Sequence, residues 1–290
     1  MALNNASMKN KVPFGSTQKP NNRAPYAKNV VIVTSGKGGV GKSTVAVHLA
    51  SALAQRDFTV GILDADVYGP SVPRMLQVEN ERLHWNNDNK IVPSENFGLK
   101  IMSPGLTTPK PDTPLMWRSS VATSAMIQLL DDVAWGALDF LVIDMPPGTG
   151  DSQLTIFQEL HVTSSIVVTT PQTVATDDVR RAIRMLQEIN APIGGIIENM
   201  SYFEDPTTKQ KHFLFGEMGG LLLAEQYEIP FLGQIPLDVQ IREASDLGVP
   251  ITTSGTSDQK QYFSVIIDRL LAQGKFKVSE DQQTEFTDSL

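Results

Sequence analysis

Short apolar runs rich in valine and isoleucine recur along the chain and alternate with longer segments of helical periodicity. Most of these runs lack polar/apolar alternation, which is the pattern of strands that are buried on both faces. The runs that predict strands are residues 30–34, 60–64, 99–102, 140–144, 166–169, 195–198 and 231–234. They predict a parallel sheet covered by helices.

The segment around Thr176 shows the helical period most clearly. Apolar residues recur there at three- and four-residue spacing, namely Val179, Ala182, Ile183, Leu186 and Ile189. This stripe is predicted to pack on the sheet, while Arg180, Arg181 and Arg184 face solvent. Thr176, with two aspartates after it, is predicted to start the helix. The alternation of strands and helices predicts a doubly wound α/β fold, whose ligand crevice lies beyond the carboxyl ends of the strands.

The 290 residues are enough for one large hydrophobic core, and the pattern places one α/β domain at residues 29–273. Residues 1–28 contain five basic residues and no acid, which predicts a flexible basic arm, with a transit peptide as the alternative. Residues 274–290 are polar and acid-leaning and predict a tail with too few apolar residues to fold alone.

Composition narrows the classes of function. No apolar run approaches the roughly 20 residues of a membrane-spanning helix, so we expect a soluble protein and favour the cytoplasm over the mitochondrial matrix. The net charge of −8 and a pI near 5.0 argue against nucleic acid as the principal partner. The chain contains no cysteine, which excludes a disulfide, a thiolate nucleophile and a thiolate metal ligand.

A glycine-rich loop follows the first predicted strand and opens a predicted helix at residues 43–55. Its sequence is Gly36-Lys37-Gly38-Gly39-Val40-Gly41-Lys42-Ser43, a complete G-x-x-x-x-G-K-[ST] match in a strand–loop–helix context. Such a loop points its N–H groups inward, and the helix N-terminus adds positive potential for phosphates. Together with Thr44, the loop predicts an ATP site in which Lys42 reaches the β- and γ-phosphates and Ser43 binds Mg²⁺. The alternative is an ordinary glycine-rich turn.

Two carboxylate clusters lie at predicted strand ends. Asp64 closes the second strand and Asp66 follows it, and Asp144 closes another strand before a Pro/Gly-rich segment. A carboxylate at the end of an apolar strand, followed by proline and glycine, is typical of a Walker B aspartate that holds Mg²⁺. We assign that role to Asp144 and expect Asp64 to support the metal region. A strand-end or helix cap is the alternative for either acid.

Lys37 is a second lysine near the start of the loop. A lysine there reaches its own nucleotide poorly but can reach one held by a facing subunit. The pattern resembles the deviant Walker A family, which includes the MinD, ParA, nitrogenase iron-protein and Mrp-type ATPases. The resemblance implies that Lys37 contacts phosphate across a dimer, that Asp66 orients the attacking water, that Asn199 contacts the adenine edge and that Pro236 lines the base pocket. From the residues alone, a solvent-facing lysine and a turn-forming asparagine remain alternatives.

Several segments look like the Mrp-type branch of this family: residues 33–49, 62–73, 144–151, 198–203, 231–238 and 241–244. The resemblance covers about residues 29–272. It includes Tyr68-Gly69-Pro70-Ser71 and Pro146-Pro147-Gly148-Thr149, which are not general P-loop features. The branch contains iron–sulfur scaffold and transfer ATPases. It implies slow, dimer-dependent hydrolysis of Mg-ATP by a homodimer, with iron–sulfur assembly proteins or apo-protein recipients as partners.

The chain departs from this branch at one place. After residues 199–203 the family pattern continues with a C-P-x-C pair, whose thiolates on two subunits hold a bridging [4Fe–4S] cluster. Here Asp205 and Thr208 occupy the cysteine positions. Because neither side chain binds iron as a thiolate does, the usual site is not expected to hold a cluster.

The leading interpretation is therefore an ATPase associated with iron–sulfur cluster assembly or transfer. The alternative is a MinD- or ParA-like positioning ATPase, which needs a basic amphipathic membrane helix or a basic DNA-binding face. An apolar pattern near the end of the domain carries few basic residues, so we expect it to pack on the core. Its members are Tyr262, Phe263, Val265, Ile266, Leu270 and Leu271.

Overall fold

The computed structural model describes residues 21–107 and 119–278 and contains one large sheet flanked by helices. The strands are β1 (Ala27–Ser35), β2 (Val60–Asp64), β3 (His84–Trp85), β4 (Ile91–Val92), β5 (Ser94–Asn96), β6 (Leu99–Met102), β7 (Leu138–Asp144), β8 (Ser164–Thr169), β9 (Ile193–Glu198), β10 (Phe203–Glu204), β11 (Lys211–His212) and β12 (Phe231–Gln234). The helices are α1 (Lys42–Ala54), α2 (Val72–Met75), α3 (Ser119–Asp131), α4 (Asp151–Glu159), α5 (Thr173–Glu188), α6 (Gly219–Tyr227), α7 (Val239–Leu247), α8 (Ile251–Ser254) and α9 (Ser257–Leu271).

The large sheet has the strand order β12-β9-β8-β1-β7-β2-β6-β5. All neighbouring pairs are parallel except β5, which runs antiparallel to β6 at one edge. The seven strands expected from the apolar runs are all present in this sheet, so the prediction of a mostly parallel α/β fold is confirmed. Because β1 lies between β8 and β7, its carboxyl end opens near the middle of the sheet.

The core forms where helices cover the central strands. Strands β2 and β8 are buried along their whole length, and the side chains of Trp135, Phe140 and Phe263 are almost completely removed from water. Burying a large apolar side chain contributes about 1.5–3 kcal/mol relative to leaving it exposed. The absence of polar/apolar alternation in these strands thus reflects burial on both faces.

Helix α5 begins one turn earlier than the sequence predicts. It starts at Thr173, and Thr176 lies inside the first turns, where its hydroxyl donates to the Thr173 carbonyl at 2.9 Å. The prediction that Thr176 starts the helix was therefore wrong, because its hydroxyl bonds backward to a carbonyl instead of capping free N–H groups. The apolar stripe is confirmed, since Val179 and Ile183 are buried against the sheet side of the helix.

The N-terminal boundary of the domain lies before the predicted one. The side chain of Arg23 forms ion pairs with Asp131 on α3 and Glu159 on α4, each at 2.5 Å. The described part of the predicted arm (residues 1–28) thus packs on the domain, and β1 begins within it. The prediction for residues 1–20 lies outside the described part of the chain.

The C-terminal boundary also shifts. The Phe276 side chain is buried, and the backbone N–H of Lys277 donates to Asn29 Oδ1 at 2.8 Å. The first residues of the predicted tail (274–290) are therefore part of the domain. The prediction for residues 279–290 lies outside the described residues.

The apolar face of α9 packs on the core, as expected. Its buried side chains include Phe263, Ile266, Ile267, Leu270 and Leu271, and the helix contacts α1 and β12. These side chains are consequently not available as a membrane-binding face. Within residues 21–107 and 119–278, none of the helices is both long and apolar enough to cross a bilayer.

A buried histidine joins α1 to the C-terminal helices. His48 Nδ1 lies 2.7 Å from the Thr44 carbonyl, and His48 Nε2 lies 3.1 Å from the backbone N–H of Ile251. The carbonyl can only accept and the N–H can only donate, so the ring is a neutral imidazole with its proton on Nδ1. Burial lowers the pKa of His48 to about 4. The ring also stacks on Phe263 at a centroid distance of 4.7 Å.

This histidine predicts an acid-sensitive fold. The pKa of His48 is about 4 in the folded protein and 6.5 for an ordinary histidine, so the unfolded chain binds the proton first as the pH falls. Its contribution to stability is complete above pH 6.5 and decreases as the pH drops toward 4, by about 2 kcal/mol at pH 5. Urea unfolding of the wild type and His48→Leu between pH 7 and 5 measures this difference.

The control for this prediction is His161→Leu, because His161 is exposed. His48→Leu should be less stable at pH 7 but should lose less further stability at pH 5, whereas His161→Leu should follow the wild-type curve. Parallel curves for the wild type and His48→Leu would contradict the prediction.

Candidate nucleotide and metal site

The glycine-rich loop connects the carboxyl end of β1 to the amino end of α1. Gly39 and Gly41 have φ angles of 80° and 79°, in the left-handed region that favours glycine. Gly36 lies against the backbone of α5, where an added Cβ would stand 2.3 Å from the Asp178 carbonyl carbon. Glycine is therefore needed both for the curvature of the loop and for its close approach to α5.

The side chain of Lys42 turns down into the sheet. Its ammonium lies 2.5 Å from Asp144 Oδ1 and 3.2 Å from Ser43 Oγ. Lys42 is buried, and Asp144 is completely so. A charge pair of this kind stays ionised only when its members neutralise each other, and nucleotide phosphates entering the loop would compete with Asp144 for the ammonium.

One carboxylate oxygen of Asp144 is available to a ligand. Its Oδ2 is buried and has no hydrogen-bond partner among the described residues. Burial raises the pKa of Asp144, and the nearby Lys42 ammonium opposes that rise. Hard divalent cations such as Mg²⁺ prefer carboxylate and hydroxyl oxygens, so Asp144 and the adjacent Ser43 hydroxyl fit a magnesium site.

Asp64 is fully buried and organises the loop after β2. Its carboxylate accepts from the backbone N–H groups of Asp66 at 3.0 Å and Ser71 at 3.1 Å, and from Ser103 Oγ at 3.2 Å. Burial, with a smaller contribution from the Asp144 charge, raises the pKa of Asp64 to about 8. This pKa lies above neutral pH, so Asp64 is largely protonated beside the Lys42–Asp144 pair, and a divalent cation bound there would favour its ionised form.

Above this buried group, an open cleft brings most of the predicted site residues together. Its lining consists of Ser35, Lys37, Gly38, Gly39, Gly41, Lys42, Ser43, Thr44, Asp66, Ser71, Met75 and Pro147. Asp66 is half-buried and accepts a hydrogen bond from the Gly69 N–H at 3.3 Å. The Lys37 ammonium makes no hydrogen bond or ion pair with any of the described residues. Both side chains are thus placed at the opening of the cleft.

Asn199 lies on the other side of the glycine-rich loop from the acids. It follows β9, is buried, and its side-chain nitrogen donates to the Val40 carbonyl at 2.8 Å. Pro236, two residues beyond β12, is also buried. The structure therefore assigns Asn199 a contact with the loop that the sequence did not suggest, and the adenine contacts of Asn199 and Pro236 stay predictions.

Sequence reasoning missed two polar residues that support the acids. Gln153, on α4, donates to the Pro146 carbonyl at 2.6 Å and accepts from Thr34 Oγ1 at 3.4 Å, so it joins the segment after Asp144 to β1. Ser103, the donor to Asp64, follows a predicted strand, and a polar residue at a strand end is a local signal of the crevice. Gln153 carried no such signal, because its partner on β1 is distant in sequence.

The segment that replaces the expected cysteine pair forms a capped hairpin turn between β10 and β11. Asp205 Oδ1 accepts from the backbone N–H groups of Thr207 and Thr208, each at 2.8 Å. These hydrogen bonds, that from Thr208 foremost, lower the pKa of Asp205. The turn is also closed by the Asp205 N–H, which donates to the Gln210 carbonyl at 2.9 Å. Asp205 therefore holds the loop with its own side chain.

Comparisons with known proteins agree with this geometry. A family model described as ParA, NUBPL iron-transfer P-loop NTPase, matches residues 26–271. An iron–sulfur cluster carrier protein of Aquifex aeolicus is 45% identical over 260 residues, which cover 89% of this chain and 71% of the relative.

Two further similar proteins come from other lineages. An iron–sulfur protein required for NADH dehydrogenase, mitochondrial, of Arabidopsis thaliana is 47% identical over 228 residues, covering 78% of this chain and 72% of the relative. A nucleotide-binding protein of Archaeoglobus fulgidus, solved in complex with ADP, has a TM-score of 0.72 and 36% identity, covering 83% of this chain and 94% of that protein.

The two left-handed glycines of the loop form a matched pair for a test. A methyl group at Gly41 would lie 2.2 Å from Asn199 Nδ2, whereas one at Gly39 would meet no atom within 4 Å. Both alanine variants lose about 1–2 kcal/mol to the left-handed backbone. Gly41→Ala should also lose the Asn199–Val40 hydrogen bond, about 1 kcal/mol more. Denaturant unfolding of both variants measures the difference, and equal stabilities would contradict the packing described here.

Proposed function

Because the chain belongs to the ParA-type family of NUBPL iron-transfer P-loop NTPases, we propose that it binds and hydrolyses Mg-ATP as a homodimer that serves iron–sulfur cluster assembly or transfer. The observation that supports the nucleotide part most directly is the buried pairing of Lys42 with Asp144 beside Ser43. This pairing joins the phosphate-binding group and the metal-binding group in one place.

Each residue of the site has a separate task. Lys42 leaves Asp144 and binds the β- and γ-phosphates, together with the inward-facing N–H groups of the loop. When bound, Mg²⁺ supplies positive charge to the phosphates, and Ser43 and Asp144 are the residues that hold it. Asp66, at the opening of the cleft, orients the attacking water. Asp64 keeps the Asp66 loop in place through the hydrogen bonds described above.

The homodimer explains the position of Lys37. Its ammonium is half-buried at the cleft opening and has no partner among the described residues of its own chain. A cation placed there can neutralise phosphate charge in a facing copy, so that two chains complete each site. Hydrolysis would then be slow for the monomer and would depend on association.

The role in iron–sulfur chemistry concerns the cargo rather than a resident cofactor. The Aquifex aeolicus relative is named as a cluster carrier, but this chain has no thiolate to bind iron. We infer that the cluster stays on the cysteines of a partner, either an assembly protein or an apo-protein recipient. The nucleotide-driven dimer would control that partner through the region around the β10–β11 hairpin.

The two lysines should separate binding from turnover. Lys42→Ala should abolish tight Mg-ATP binding, because the loop N–H groups alone compensate the β/γ charge poorly. Lys37→Ala should leave the affinity of the monomer for Mg-ATP within about twofold of wild type while reducing kcat at least about tenfold. Equilibrium dialysis and a steady-state phosphate-release assay measure the two quantities.

The protein-concentration dependence supplies the control for this experiment. Wild-type turnover per chain should rise with protein concentration across the range of dimerisation, and Lys37→Ala turnover should stay low throughout. A wild-type rate per chain that is flat across this range would place Lys37 in its own subunit's site. Unchanged Mg-ATP affinity in Lys42→Ala would contradict the nucleotide assignment itself.

The hairpin turn allows a test of cluster binding. Asp205→Cys combined with Thr208→Cys restores the C-x-x-C spacing, and two subunits then supply the four thiolates of a [4Fe–4S] site. Anaerobic reconstitution should give no stable cluster on the wild type and about four iron atoms per dimer on the double variant. Iron and sulfide analysis with visible absorption measures both.

A second double variant, Thr207→Cys with Thr208→Cys, is the matched control, because it has the same number of thiols at the wrong spacing. It should bind less iron than the C-x-x-C variant. A stable cluster on the wild type would overturn the inference that the cargo stays on a partner.

A further inference from the structure

Glu198, the last residue of β9, is a carboxylate that is completely buried. Its Oε1 accepts from Ser201 Oγ at 2.5 Å and from Gln234 Nε2 at 2.9 Å, and its Oε2 accepts from the Gly220 N–H at 2.6 Å. A buried carboxylate is costly unless several donors satisfy it. The nucleotide chemistry described above makes no use of this group, so its arrangement needs another explanation.

The three donors belong to three different segments of the chain. Ser201 lies in the segment after β9, Gly220 in the first turn of α6, and Gln234 at the end of β12. The backbone strengthens the same junction, since the Ile235 N–H donates to the Glu198 carbonyl at 2.9 Å. The amino end of α6 also favours a negative charge. Glu198 therefore fixes the relative positions of these three segments.

The close packing at α6 supports this role. A Cβ at Gly220 would lie 3.0 Å from Glu198 Cβ and 3.2 Å from its Oε2. A larger residue would push the N–H away from the carboxylate. The helix is thus placed so that its backbone, and not a side chain, binds Glu198.

The sheet order indicates on which side of the glycine-rich loop a nucleoside would lie. Strands β7 and β2, which carry Asp144 and Asp64, lie on one side of β1, whereas β9 and β12 lie on the other. The loop would hold the phosphates, and the acids would hold a metal ion on the side of β7 and β2. The ribose and base would then extend toward β9 and β12. Asn199, directly after Glu198, contacts the loop through the Val40 carbonyl on that side.

We propose that Glu198 is a positioning residue for the nucleoside half of the ligand. It does not touch the ligand; it fixes Asn199 and the segment after Gln234, between which the base and ribose bind. This inference rests on the proposed ATP-binding function. It separates the site into a phosphate half, built by the loop and the acids, and a nucleoside half, built around one buried carboxylate.

The test compares two ligands that differ only in the nucleoside. Glu198→Ala should weaken binding of Mg-ATP about tenfold, the effect of losing hydrogen bonds to a charged group, and leave binding of Mg-tripolyphosphate within about twofold of wild type. In steady-state hydrolysis the same variant should raise KM for ATP with little change in kcat. Isothermal titration and phosphate release measure these quantities.

Two further variants keep the test decisive. Glu198→Gln preserves the shape of the side chain and keeps one oxygen to accept from the Gly220 N–H, while the Ser201 hydroxyl and the Gln234 amide can reorient to accept from the new NH₂ group. It should recover most of the Mg-ATP affinity. Ser201→Ala removes one donor and should shift ATP binding in the same direction as Glu198→Ala, which gives a readout even where Glu198→Ala does not fold.

Asn29→Ala is the control for general destabilisation. Asn29 is buried near the amino end of β1, where its side chain donates to the Asp139 and Lys277 carbonyls, far from the loop. It should leave the affinities for both ligands unchanged. Equal losses of ATP and tripolyphosphate binding in the Glu198 and Ser201 variants, or an unchanged KM for ATP, would overturn the positioning role. A wild-type protein that binds no Mg-ATP would instead contradict the proposed function.

Discussion

The site depends on the joint burial of Lys42, Asp144 and Asp64, in which Lys42 and Asp144 form an ion pair and burial raises the pKa of Asp64. Taking ionised groups out of water is unfavourable unless opposite charges and hydrogen-bond donors replace the lost solvent. Lys42 neutralises Asp144, while backbone N–H groups and Ser103 satisfy Asp64. This requirement positions two segments. The loop after β2 supplies hydrogen-bond donors to Asp64, and the segment after β7 covers Asp144.

This arrangement is incomplete in a way that suits ligand binding. Asp64 keeps a proton that a bound cation would displace, and Asp144 Oδ2 has no hydrogen-bond partner in the part of the chain that the structure describes. The proposed ligand, Mg-ATP, would bring both a cation for the acids and an anion for the lysine. In the structure Asp144 pairs with Lys42, and in the proposed complex the phosphates would take the place of Asp144 on the ammonium.

The parts that could be predicted from sequence are those governed by local rules. Strand β7 was predictable because burial on both faces requires an unbroken apolar run, and the glycine-rich loop because its spacing and flanking elements are diagnostic. The start of α5 was predicted wrongly at Thr176, because a hydroxyl residue followed by acids fits a helix start as well as a position one turn inside the helix. The roles of Arg23, Gln153 and Glu198 were not predicted, because each depends on at least one partner that is distant in sequence: Asp131, Thr34 and Gln234, respectively.

The contact between Gly36 and α5 has a mechanical consequence. The loop meets the helix backbone to backbone, with no intervening side chain that could rotate to absorb a displacement. Helix α5 has 16 residues and is thus about 24 Å long. Any displacement of the loop at Gly36 would therefore pass directly to the backbone of the amino-terminal half of α5.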